Sequence, residues 1–305
     1  MIEYFNFYYF LYITFAIGLL TGLYFLLRNK SKRTATIVIF ILFLSNFILH
    51  FLKLVFNYYQ EWMPYAIRTV TPENICAVSV LVFPWFYLSK KNILKDYMFY
   101  LGIISGLGAT FIPIDVIDCS PFEFETIRFY FSHVLLWVVP LLMVMLKLHT
   151  LDYKRIFKFP FLLYLTLCII LVNEVILTGA GFIHIRHLYS NEVRNSSMIF
   201  GPLVEVEFIG KLFTALTPKL FLTVPIGPNA GTPYYWPIVW LIIPSYVYFC
   251  ITALLLSLPF EFRNIKNDLF KFGQKITKIW KKILHYNTAN YTDNKTNNNV
   301  CKTAE

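Results

Sequence analysis

Seven blocks of apolar residues, most of them close to 20 long, divide the chain at roughly 4–27, 34–57, 74–89, 96–117, 127–149, 159–182 and 235–258. A bilayer's hydrocarbon core is about 30 Å thick, which takes about 20 helical residues to cross. Inside it every backbone N–H and C=O must be satisfied within the protein, so each such block has to form a helix. The pattern predicts an all-α fold, a polytopic membrane helical bundle of about seven transmembrane helices. With 57% hydrophobic and only 14% charged residues, a soluble domain is excluded.

The net charge of +10 reports orientation rather than a nucleic-acid partner. Placing the N-terminus outside collects 20 of the 27 Lys and Arg in the segments 28–33, 90–95 and 147–158 and in the tail after Leu258. Of the 17 acidic residues, 11 fall on the other side or in its half of the membrane. Such a bias is the positive-inside signature, so the sequence predicts an outer N-terminus, a cytoplasmic C-terminus and a multi-pass protein of the cell (plasma) membrane. The first block is too long for a cleaved signal peptide and lacks a basic leading region.

The spans compose a membrane domain over 1–258, with one long excursion on the outer side at 182–235. That excursion carries the apolar stretch MIFGPLVEVEFIGKLF, in which Glu205, Glu207 and Lys211 stand. It reads as an interfacial or re-entrant element covering the outer face, since irregular backbone at membrane depth is tolerated only against protein or water. In the fourth span Gly102, Gly106 and Gly108 suit close helix packing, and Pro84 and Pro140 fall inside the third and fifth. Over 259–285, Ile265, Leu269, Phe272, Ile276 and Ile279 recur at helical spacing among lysines. This is a basic amphipathic helix suited to anionic headgroups of the inner leaflet. Residues 286–305 are polar and Asn-rich, as in a disordered tail. The expected partners are therefore membrane lipids, with no nucleic acid.

Ionisable groups inside spans are costly and mark functional candidates. Asn46, His50 and Lys53 are spaced 4 and 3 apart, on one helical face in the outer half of the second span. Glu174 lies ~22 Å up the sixth span, counted from Phe159 at ~1.5 Å per residue. Arg128 and His133 enter the membrane from outside on the fifth span. Structural roles are open to each: Lys53 can snorkel to headgroups, Asn46 can serve as interhelical glue, and His50 can be a hydrogen-bonded core residue. Together they are candidates to line a substrate site.

Cys76 joins this layer at the opening of the third span. Thr71-Pro72 reads as an N-cap and first helical residue, which puts Cys76 on the second turn, near the positive end of the helix. Ser120-Pro121-Phe122-Glu123 resembles a capping box at the start of the fifth helix. A cysteine with a histidine at similar depth is the pairing a thiol nucleophile needs. A buried cysteine beside a satisfied histidine is the structural alternative. Cys168 and Cys250 fall mid-span and Cys301 in the tail, while Cys76 and Cys119 share the outer side, the one pair able to form a disulfide. No CxxC or other metal-like spacing occurs, so neither a metal nor a cofactor is expected.

The stretches PENICAVSVLVFPWF (72–86) and FETIRFYFSHVLLWVVPLLMV (124–144) resemble the YwaF family of bacterial integral membrane proteins, related to the transmembrane protein 164 family of animals. In that superfamily a cysteine at the outer start of one helix is followed, two helices later, by a histidine in a pattern like F-x-x-H and then V-P. Cys76, His133 and Val139-Pro140 hold those positions. The animal relatives are described as acyltransferases that move a fatty acyl chain between phospholipids through the cysteine. The resemblance thus implies an acyl-thioester on Cys76 with His133 as general base, in an acyltransferase or lipase of the outer half of the bilayer. Two features depart from the family pattern. TPKLFLTVP (217–225) lacks the asparagine element usual before the last span, and Glu73-Asn74-Ile75 replaces the usual Leu-Pro-x-His or Asn-Pro before the cysteine. The alternative is a non-enzymatic transporter or receptor whose intramembrane site is lined by His50, Lys53, His133 and Glu174.

Overall fold

Asn6 and Ser31 cap the first two helices with their side chains, accepting from the backbone N–H of Tyr9 and Thr34. In the computed structural model, residues 1–61, 63–188, 197–203 and 207–300 are described, with side chains through Trp280 apart from residues 57 and 58. Glu205 and Cys301, named above, lie outside the described residues. The helices are α1 (Phe7–Leu27), α2 (Lys32–Leu52), the short α3 (Asn57–Gln60), α4 (Ile75–Leu88), α5 (Asn92–Phe111), α6 (Phe124–Met145), α7 (Phe159–Gly179), α8 (Glu207–Leu216) and α9 (Ile242–Val300). Six of them, some extended by single 3-10 turns, are long and apolar enough to cross a bilayer. The protein is an all-α membrane bundle.

The third span differs from its expectation. With 14 residues, α4 is only ~21 Å long, about 9 Å short of the hydrocarbon core. Its start differs too. The Thr71 hydroxyl donates to the Arg68 carbonyl at 2.7 Å and accepts from Asn173, so it is not free to cap. Asn74 does so instead, its Oδ1 accepting from the Ala77 N–H at 2.8 Å. Cys76 is therefore the second residue of the helix, on its first turn. Nor does Ser120 cap α6. The Pro121 carbonyl, which would open that helix, accepts from the Tyr12 hydroxyl, and the helix begins only at Phe124.

Two sets of contacts place the helix ends. The Ile2 N–H donates to the Cys119 carbonyl and the Tyr9 hydroxyl to the Phe111 carbonyl, so α1 begins beside the end of α5 and the start of α6. We call this the N-terminal side. On the opposite, tail side, Asp96 at the start of α5 meets His149 and Arg155 from the segment between α6 and α7.

The core centres on α5 and α6, where Leu101, Leu135, Val138, Val139 and Met143 are almost fully buried. Backbones approach closely there. A Cβ on Gly106 would stand 2.7 Å from the His133 carbonyl, and Gly102 is pressed harder still against the Leu136 carbonyl. Gly108 faces open space and takes no part in this contact. The chain forms two units, Met1–Leu256 and Ser257–Glu305. The second takes in the C-terminal part of α9, which is helical to Val300 and has no Gly or Pro beyond Gly273. Among its apolar residues Ile265 is buried, whereas Leu269, Phe272, Ile279 and Trp280 are at least half exposed.

Candidate functional site

Polar side chains of α2, α4, α5, α6 and α7, and of a 3-10 turn at Tyr65–Val70, lie toward the N-terminal side. From α2, Asn46 is glue as expected. Its amide donates to the Ser132 carbonyl at 3.2 Å and its Oδ1 accepts from the Ser132 hydroxyl at 2.7 Å, one residue before His133. Lys53 does not snorkel. It is 6% exposed, and its ammonium donates to the Thr69 carbonyl at 2.8 Å, which compensates part of its burial. His50, 5% exposed, bonds the backbone at Val70, while its Nε2 has no partner among the described residues. These two residues stitch the end of α2 to the 3-10 turn.

That turn carries Arg68, which the sequence reading passed over. Its Nε donates to Glu174 of α7 at 2.8 Å and its Nη1 to Glu73, just before α4, at 2.9 Å. Burial works against the Arg68 charge, but the Glu73 and Glu174 carboxylates outweigh it and hold its pKa above the ordinary value. Asn173 donates to Thr71 at 3.0 Å, and the Ile75 N–H donates to the Ser197 hydroxyl at 3.1 Å. The start of α4 is thereby tied to the turn, to α7 and to the loop beyond it. The available signal for Arg68 was a base standing on the side otherwise poor in bases.

Cys76 follows this tie. Its thiol is half-buried and hydrogen-bonded to the hydroxyl of Ser105 on α5, which also donates to the Leu101 carbonyl at 2.8 Å. His133, half-buried on α6, has its Nδ1 2.8 Å from the Phe129 carbonyl. A carbonyl can only accept, so Nδ1 carries the proton and Nε2 the lone pair, the tautomer a general base requires. Its backbone carbonyl packs against Gly106. The Cys76 thiol thus bonds Ser105 of α5 and the His133 backbone packs on the next residue, Gly106, while the His133 ring is turned to Phe129; no hydrogen bond between thiol and imidazole is among the described contacts. Arg128 is turned to Glu125, which also accepts from the Tyr59 hydroxyl, and lies within electrostatic range of His50 and Lys53.

Cys76 and Cys119 are both free thiols, so the one disulfide open to the sequence is not formed. Burial, with Glu123 beside it, raises the pKa of the Cys119 thiol, which makes it a poor nucleophile. Among the described residues no group of three or more His, Cys, Asp or Glu could hold a metal ion. The Asp96–His149–Arg155 cluster on the tail side, also unforeseen, is fully paired. His149 Nε2 lies 2.7 Å from Asp96, and Arg155 bonds both Asp96 and Asp152. It fastens the segment between α6 and α7 to α5.

The sequence model of the TMEM164 family matches residues 4–252, from the start of the first span into the last. No curated protein and no solved structure matches it.

Proposed function

The chain belongs to the TMEM164 family of multi-pass membrane proteins, and from that premise we propose that it transfers fatty acyl chains between membrane lipids through Cys76. The observation that supports this reading is that Cys76 and His133 meet consecutive residues of α5, the thiol bonding Ser105 and the His133 backbone packing on Gly106, with a lone pair on His133 Nε2. In the first step the sulfur attacks the ester carbonyl of a phospholipid as His133 Nε2 takes the thiol proton. The C–S bond forms, the C–O bond breaks, and the proton passes to the departing lysophospholipid oxygen. In the second step a lipid hydroxyl gives its proton to His133 and attacks the thioester, so that C–O forms, C–S breaks and the thiol is restored. With water as acceptor the same steps make a lipase. Catalytic hydrogen bonds are often long in the free enzyme and tighten with substrate, which accommodates the absence of a direct Cys76–His133 bond.

On this reading the site works in the outer half of the plasma membrane, an orientation the charge split supports. The exposed Leu269, Phe272 and Trp280, interleaved with lysines, suit the anionic inner leaflet. A second reading has one observation in its favour. The buried Arg68, Glu73 and Glu174 are groups that could line a solute path, as in a transporter.

The test is intact-mass analysis and lysophospholipid release by protein incubated with phospholipid. An acyl adduct is expected on the wild type and none on Cys76→Ser, with His133→Ala slowed by about 10²–10⁴-fold. The double variant should be little worse, as for residues acting together. Turnover that survives Cys76→Ser would refute the acyl-transfer reading. Loss with Glu174→Gln of uptake but not of turnover would favour the transporter.

A further inference from the structure

The short α4 leaves a gap of about 9 Å above Cys76 if Leu88 sits at the tail-side boundary. Beside it, described residues of 198–203 and 207–222 pack with α4, α7 and α9. Phe213 of α8 packs with Trp240, Tyr248 and Phe249, its ring centroid 5.3 Å from that of Tyr248, and the Tyr248 hydroxyl donates to the Leu212 carbonyl at 2.9 Å. Tyr248 lies six residues into α9, about 9 Å along it. The same cluster holds Ile170 of α7, nine residues before the end of that helix and so about 14 Å below it, together with Val78 of α4. On both counts α8 lies beneath the level at which the long helices end, inside the N-terminal-side leaflet.

At 100° per residue α8 has three distinct faces. Gly210 and Phe213 are buried, Gly210 against Pro202. Glu207 and Lys211 form an exposed ion pair of 2.7 Å on a second face. Phe208, Leu212 and Leu216, four apart, form a third, and Phe208 is 75% exposed. A helix wholly in water would not need the third face, and one wholly among acyl chains would not tolerate the second. Protein on one side, headgroups on another and acyl chains on the last satisfy all three at once. The exposed Lys219 supplies a charge that complements a phosphate, and Lys211 can turn to it from Glu207, since a solvent-exposed ion pair is worth little.

We propose, on the reading that Cys76 takes an acyl group from lipid, that α8 is the docking surface for the donor. A glycerophospholipid of the N-terminal-side leaflet lays its acyl chains on Phe208, Leu212 and Leu216, with its phosphate at Lys211 and Lys219. Its ester region then lies near the level of the α4 start, so donor lipid reaches Cys76 sideways from the leaflet, past α8, rather than from water.

The probe is a phosphatidylcholine bearing a diazirine partway along one acyl chain, photolysed in proteoliposomes of the full chain and mapped by tryptic mass spectrometry. Adducts are expected on the peptides containing Phe208 and Leu212–Lys219, in the wild type and equally in Cys76→Ser. Leu212→Asp, a change at a partly exposed position, should reduce them at least fivefold while leaving Cys76 able to react with a small soluble thioester. Adducts confined to the long helices, or unchanged in Leu212→Asp, would overturn the docking surface even if Cys76 is acylated. Labelled α8 without acylation of Cys76 would uphold the docking surface and remove the acyl-transfer reading alone.

Discussion

Replacing Gly106 by alanine should separate α5 from the helix that carries His133. The added Cβ would stand 2.7 Å from the His133 carbonyl and 3.0 Å from the Trp137 N and Cβ, whereas ordinary contact begins near 3.4 Å. Two of these three neighbours are backbone atoms, so no rotamer change relieves the crowding and α6 must move by about 0.7 Å, the difference between contact and clash. Overpacking of this kind costs about 1–3 kcal/mol. Gly102→Ala should cost at least as much, its Cβ being closer still to the Leu136 carbonyl, with Pro140 and Phe83 behind. Gly108→Ala is the internal control. Nothing lies within 4 Å of its Cβ, so the substitution only removes chain entropy from the unfolded state and should gain up to about 1 kcal/mol. Equilibrium unfolding by sodium dodecyl sulfate in mixed micelles measures all three. If Cys76 and His133 work together as proposed, the same preparations should show slower acyl transfer for Gly106→Ala, since a shift of His133 by a fraction of an ångström would disturb the alignment of base and thiol. Equal stability of the Gly106→Ala and Gly108→Ala proteins would refute the close approach of α5 and α6 as the feature that sets the position of His133.

Two further outcomes follow from the charged groups. Arg68→Gln leaves Glu174, 1% exposed, and Glu73, 13% exposed, facing each other without their cation, and should cost about 3–5 kcal/mol, the usual effect of breaking a buried pair. Adding Glu174→Gln should recover part of that loss in the same unfolding assay, because coupled residues are not additive; losses that simply sum would mean that the pair does not interact. A 260–285 peptide should bind anionic vesicles and leave them at high salt, as screening weakens surface attraction, and equal binding to neutral vesicles would remove the electrostatic part of that expectation.

The hydropathy pattern by itself determined the bundle, because hydrocarbon forces every spanning backbone into a helix whatever its neighbours. It placed Asn46, His50, Cys76, His133 and Glu174 in one layer for the same reason, since depth follows from counting residues along a span. What each of them bonds to was decided by tertiary structure. Lys53 was legible as a lysine near a helix end, yet its destination depended on the Thr69 carbonyl, brought to it by a turn of irregular sequence. Thr71 carried the signature of an N-cap, but Arg68 and α7 used its hydroxyl first and left that task to Asn74. Arg68 itself lies in no span, so only the folded chain set it between two carboxylates. Gly102, Gly106 and Gly108 look alike in sequence, and helix rotation alone turned the first two onto α6 and the third away. Periodicity and depth are properties of one segment in a uniform solvent and can be read one segment at a time. Partnership is a property of two segments, fixed by how their helices rotate and approach, and for that reason it was settled only in the assembled bundle.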